Sequence, residues 1–266
     1  MWSFIIRAII SLSFCVIIVS WYLIPDSFFV EYSEESSEEN KKDLAQKERV
    51  VIKEEKRKKE EKEKEEKKRS NEIKKTVKYS VPFVVQAPHA QWDEIDYQDA
   101  CEEASMIMAD GWVKNDRHIS KNDAEKVMEE MFDQEEKIFN GAIDTSVTDT
   151  AKFFTEYYGH SAEVRKDVTM EDLYRILSDG YIIIVPTNGK MLGNPHFTNG
   201  GPERHMLVII GYNKNNREFI TNDPGTRVGR GYKYKDTTLY NAIRDYETGK
   251  KKEIIGTSKN IIIVKK

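Results

Sequence analysis

Cysteine is nearly missing from this chain: 266 residues contain two, Cys15 and Cys101. The stretch from Val77 to Lys266 thus holds a single thiol and no internal disulfide, so its stability rests on packing. Metal-binding spacing is missing as well. His89, His118, His160 and His196 are dispersed, with no His-x-x-x-His or Cys-x-x-Cys pattern. There is no Gly-rich phosphate loop followed by lysine and no dinucleotide fingerprint, so no cofactor is expected. A net charge of −4 is small for this length and implies no strongly acidic or basic partner.

Charge is absent from Ala8 to Pro25, and the apolar character reaches back to Trp2 with only Arg7 interrupting. That length approaches the roughly 20 residues of a membrane span, with Trp21 and Tyr22 where an interfacial belt would lie. A cleaved signal peptide is the rival reading, but Val19 to Ile24 offers no Ala-x-Ala-like site. Residues 1–25 are therefore read as a single-pass anchor that makes the membrane a partner. Arg7 on the short side, against Asp26, Glu31, Glu34 and Glu35 on the other, places the N-terminus inside and the bulk of the chain outside.

Residues 26–76 form a Lys/Glu-rich stalk, without proline or glycine from Ser33 to Thr76. Glu54 with Lys58, Glu55 with Lys59, Glu60 with Lys64 and Glu63 with Lys67 are helix-supporting pairs four residues apart. The tract lacks sustained a/d heptads, so it reads as a lone charged helix or a disordered spacer. Its mixed signs argue against nucleic-acid binding.

Residues 77–266 are enough for one domain with a core. Periodicity predicts helices near Gln98 to Val113, Lys121 to Phe139, Val147 to Tyr158 and Met170 to Leu177, with a short one over Thr237 to Asp245. Strands are expected near Ala162 to Arg165, Tyr181 to Pro186, Met206 to Tyr212, Glu218 to Asn222, Gly231 to Tyr234 and Asn260 to Val264. Helices early and strands late predict an α+β fold, its helices segregated against an antiparallel sheet.

Cys101 sits where a turn-rich segment gives way to a helix. Unpaired N–H groups and the macrodipole there favour the thiolate, and Glu102 and Glu103 suit the first turn for the same reason. Ala104, Ile107, Met108 and Trp112 make the buried stripe; Cys101 lies on or beside it, so burial alone is the competing reading. His205 opens one strand and Asp223 closes the next, giving nucleophile, base and base-orienter in order. A zinc site on Cys101, His205 and Asp223 is the alternative, though no fourth ligand suggests itself. The loop from Thr187 to Arg204, rich in Gly, Asn and Pro, leads into His205 and could shape a cleft.

Val81-Pro82-Phe83-Val84-Val85-Gln86-Ala87-Pro88, Trp92-Asp93, Ala100 to Ser105, His205 to Tyr212 and Asn222-Asp223-Pro224-Gly225-Thr226 together resemble the C39-like peptidase family of the papain-like cysteine peptidase superfamily. The resemblance implies a papain-like fold and a peptide or protein substrate, with Cys101 as nucleophile, His205 as general base and Asp223 as the residue orienting the imidazole. Asn222 is the alternative orienter, since alternation puts the two side chains on opposite faces. The resemblance also implies an oxyanion-hole glutamine: Gln86 fits its Pro-Phe-x-x-Gln element, with Gln91 and Gln98 as alternatives. A cell-wall peptide amidase or transpeptidase, and a non-catalytic membrane-tethered binding module, remain the other function classes.

Overall fold

The computed structural model describes residues 46–47, 49–62, 64–65, 73–139, 144–249, 254 and 256–266. The expected anchor lies outside these residues, and among them no helix is long and apolar enough to cross a membrane. The chain divides into two compact units, Met1–Glu66 and Lys67–Lys266. In the first, residues 49–62 are helical and every described side chain is exposed, Val50, Val51 and Ile52 included. A coiled-coil seam would bury one stripe; no such stripe is buried among the described residues of this helix.

The second unit begins earlier than the expected boundary at Val77. Ile73 packs on the core, Lys74 donates from its backbone N to Ser178 Oγ and from Nζ to Ser178 O, each at 3.1 Å, and Lys74 O accepts from Tyr212 Oη at 2.7 Å. A lysine-rich run gives no periodic signal that these residues belong to a domain. The short strand that follows, β1 (Thr76–Lys78), pairs with Gly211 to Asn213, the last three residues of β4 (His205–Asn213), which sequence reading also missed. Gly211 makes that pairing possible: a Cβ there would lie 2.2 Å from Val77 O.

The remaining strands are β2 (Ala162–Arg165), β3 (Ile182–Thr187), β5 (Glu218–Asn222), β6 (Arg230–Lys235) and β7 (Ile261–Val264). They form one antiparallel sheet in the order β2-β7-β3-β4-β5-β6, with β1 beside β4. Alternation along the central strands serves two cores. Ile182, Ile184, Met206, Val208 and Ile262 face one, and Ile183, Val185, Leu207, Ile209 and Ile263 face the other. A sheet covered on both faces reads as continuous apolar runs, which is why Ile182 to Val185 and Ile261 to Val264 carry no polar residue.

The first core is closed by α2 (Cys101–Lys114), α3 (Lys121–Phe139) and α4 (Val147–Tyr158), after a one-turn α1 (Ile95–Gln98). The second is closed by α5 (Met170–Ser178) and α7 (Asp236–Ala242), with the short α6 (Gly189–Leu192) beside it. Helices thus cover both faces rather than one, a correction to the segregated arrangement; the α+β class with an antiparallel sheet stands. The start of α4 is fixed by Ser146, which accepts from Asp149 N, and that of α5 by a capping box between Thr169 and Asp172. Cys101 through Trp112 are all buried, so α2 runs through the interior and carries Glu102 and Glu103 inward with it.

Candidate active site

Three elements converge: the start of α2, the start of β4 and the end of β5. Cys101, the first residue of α2, is 3% exposed, His205 at the head of β4 is 1%, and Asp223 just past β5 is 0%. The three side chains are shielded from bulk solvent, which strengthens each electrostatic contact among them.

His205 Nε2 and Asp223 Oδ1 are 2.8 Å apart. Gly225 N donates to the same oxygen at 3.1 Å, and Tyr234 Oη donates to Asp223 Oδ2 at 2.5 Å. Asn194 Nδ2 lies 3.5 Å from Oδ2 and donates to Tyr234 Oη at 2.7 Å. Burial pushes the Asp223 carboxyl up, but the His205 ring and these donors more than offset it and hold the group below its ordinary value. Phe197 meets the His205 ring edge to face at 5.3 Å. A side chain at position 225 would collide with that ring, because a Cβ there would sit 2.8 Å from His205 Cε1. With Nε2 engaged, Nδ1 is the ring nitrogen left for a thiol.

Asn222 does other work. Its Nδ2 donates to Val81 O and Pro82 O at 3.2 and 3.1 Å, and its Oδ1 accepts from Gly231 N at 3.0 Å. It ties the Val81–Pro82 segment to the start of β6 at Gly231, while its neighbour Asp223 holds the imidazole. Alternation separated the two, as the strand period requires.

Around the thiol the structure departs from expectation. Cys101 Sγ donates to Glu102 Oε2 at 2.9 Å and accepts from Met206 N at 3.2 Å. Glu102 is fully buried, and its Oε1 accepts from Tyr246 Oη at 2.5 Å. Burial pushes the Cys101 thiol well up, with the Glu102 charge and hydrogen bond adding to it, against a smaller opposing pull from the Met206 N–H. The Glu102 carboxyl is also pushed well up, by burial first and then by Glu103 and Asp144. A helix N-terminus alone would favour the thiolate; desolvation and an adjacent carboxyl outweigh it here.

Gln86 is buried and links the segment before Cys101 to the turn after Asp223. Its Nε2 donates to Tyr97 O at 3.1 Å and to Gln98 O at 2.6 Å, and its backbone N donates to Pro224 O at 3.1 Å. Both amide hydrogens are thereby used, so an oxyanion contact from Gln86 requires one of these bonds to be exchanged. Gln91 donates to Glu125 instead, and Gln98 contributes its backbone carbonyl. Ala100 supplies no side-chain cap to α2, and the N–H of Cys101, in the first turn, has no intrahelical acceptor.

The structure thus brings together Cys101, the His205–Asp223 pair and Gln86, and separates Asn222 from them. Sequence reading missed Asn194, Phe197, Tyr234 and Tyr246. Asn194 and Phe197 lie in the Thr187 to Arg204 loop, whose position before His205 was the available signal; Tyr234 and Tyr246 gave none. Among the described residues no group of three or more His, Cys, Asp or Glu side chains could hold a metal ion.

A profile of the Peptidase_C39 like family matches residues 78–254. A Bacillus anthracis protein described as a C39-like peptidase is similar in structure, with a TM-score of 0.45 and 18% identity over 73% of this chain and 98% of that one. Xylellain, a cysteine protease from Xylella fastidiosa, gives a TM-score of 0.30 and 14% identity over 75% and 88% of the two chains. No curated protein matches the sequence.

Proposed function

The chain belongs to the C39-like peptidase family, and from that premise we propose that it is a papain-like cysteine peptidase cleaving peptide bonds through Cys101, His205 and Asp223. The observation that carries the reading is the buried His205 Nε2–Asp223 Oδ1 contact at 2.8 Å, placed one residue from the backbone N–H that touches Cys101 Sγ. Asp223 occupies Nε2, which leaves Nδ1 as the proton acceptor for the thiol, and stabilises the imidazolium that forms.

In the proposed cycle the Cys101 thiol turns from Glu102 to His205 Nδ1 and passes its proton there; catalytic hydrogen bonds often tighten only when substrate binds. The thiolate attacks the scissile carbonyl carbon, and the oxyanion takes the Cys101 N–H and, after exchange, the Gln86 amide. The C–N bond breaks as the imidazolium protonates the leaving amine, leaving a thioester on Sγ. Water, deprotonated by the neutral imidazole, attacks the thioester and releases the carboxylic acid and the thiol. The apolar run at residues 2–25 supports tethering of this domain outside a membrane.

The buried, upshifted thiol favours the rival reading of a non-catalytic binding module. Turnover decides between them. On a fluorogenic peptide library, Cys101→Ala should abolish hydrolysis, and Asp223→Ala should lower kcat by orders of magnitude while Asn222→Ala mainly lowers thermal stability, by about 1–3 kcal/mol for its orphaned partners. Hydrolysis retained by Cys101→Ala, or a larger kcat loss in folded Asn222→Ala than in Asp223→Ala, refutes the assignment.

A further inference from the structure

A cavity of about 310 Å³ lies beside the two segments that carry Gln86 and Asp223. One wall is the Phe83 to Pro88 stretch, another the loop after Asp223, and the third the connection into α3. Val84, Ala87 and Ala124 make a buried apolar floor. Lys121, Arg227, Arg230 and His118 also line it, and no carboxylate does. Among the described residues none of these four side chains forms an ion pair. Lys121, Arg227 and Arg230 are exposed, and Arg230 is steadied over the Phe83 ring at 5.6 Å, which leaves the edge of its guanidinium fork open.

Three fixed cations around an apolar floor, in a chain of net charge −4, form a local field of opposite sign to the whole. Carboxylates match such a fork in geometry and charge. The cavity adjoins the site: Val85 and Ala87, which line it, flank Gln86, whose backbone N donates to Pro224 O, the residue after Asp223.

We propose that this cavity binds an acidic part of the peptide substrate, a carboxylate side chain with an apolar neighbour, to one side of the bond that is cleaved. The proposal rests on the peptidase reading above and names its substrate class. Charge complementarity selects the carboxylate, and the floor selects the apolar neighbour over a bare anion.

The test separates binding from turnover. Dye-labelled peptides of about a dozen residues, roughly 40 Å when extended, carry one Glu or one Gln walked along an otherwise apolar and neutral sequence. Their binding to Cys101→Ala protein is read by fluorescence anisotropy at low and high salt. The Glu peptide should bind about tenfold tighter than its Gln twin at one spacing, and both salt and Arg227→Glu/Arg230→Glu should erase the preference. Lys121→Glu, on a different wall, gives the same readout should the loop variant fold poorly. Equal binding of the twins, or a preference untouched by charge reversal, overturns the proposal. So does binding to phosphatidylglycerol vesicles that is lost on reversal while the twins bind alike, which would assign the cavity to a membrane surface. Wild-type turnover is measured separately; its absence alongside an intact Glu preference sinks the peptidase reading and leaves the cavity assignment standing.

Discussion

Raising the pH from 5 to 8 should destabilise the domain through two carboxyls buried between α2 and α3. Glu103 and Glu135 are 2% and 3% exposed, and Glu103 Oε2 and Glu135 Oε1 find no protein donor. Their mutual hydrogen bond pushes Glu103 up and Glu135 down, so the shared proton belongs to Glu103. Burial nonetheless raises Glu135 to about 7 from 4.5, with the Glu102 charge adding to it. Between those values the folded chain holds a proton that the unfolded chain has released, so the contribution is fully present below 4.5 and lost as pH passes about 7. At 1.36 kcal/mol per pH unit, the gap amounts to about 3 kcal/mol. For a domain of this size that lowers Tm by about 6–12 °C. Glu135→Gln keeps an acceptor for the Glu103 proton but cannot ionise, so thermal unfolding followed by circular dichroism should show the variant losing about 3 kcal/mol less than wild type over this range, the share left belonging to Glu102 and Glu103. A Glu135→Gln protein that loses as much stability as wild type between pH 5 and 8 would refute the pairing.

Two further outcomes follow from the same contacts. Glu102→Gln removes the carboxyl that, after burial, holds the Cys101 thiol up, so the midpoint of iodoacetamide alkylation against pH should move to lower pH; an unchanged or higher midpoint would show that Glu102 does not govern the thiol. A chain beginning at Ile73 should melt well above one beginning at Val77, because the shorter chain lacks three Lys74 hydrogen bonds at about 1 kcal/mol each, or about 6–12 °C in Tm; equal Tm values would mean that residues 73–76 add nothing.

The elements that the sequence made legible are those whose signal is local. The helices at Lys121–Phe139 and Val147–Tyr158 and the strands at Ala162–Arg165 and Glu218–Asn222 match their predicted bounds because the apolar period and end signals lie within each segment. Cys101, His205 and Asp223 were legible for a related reason: each terminates a regular element, and element ends are where side chains can converge. What stayed hidden depends on long-range partners. Tyr246 is 144 positions from the Glu102 it contacts, and Asn194 and Tyr234 meet only because the loop before His205 folds back over β6. Glu102 shows the difference most directly. From sequence it was a first-turn acid favoured by the dipole, which would leave the neighbouring thiol easily ionised. Its burial follows from the sheet and helices closing on all sides of α2, and burial reverses its effect, so that it adds to the upward push on the Cys101 thiol. The local sequence supplies the thiol, the imidazole and the carboxylate, and the tertiary packing sets how firmly the thiol keeps its proton.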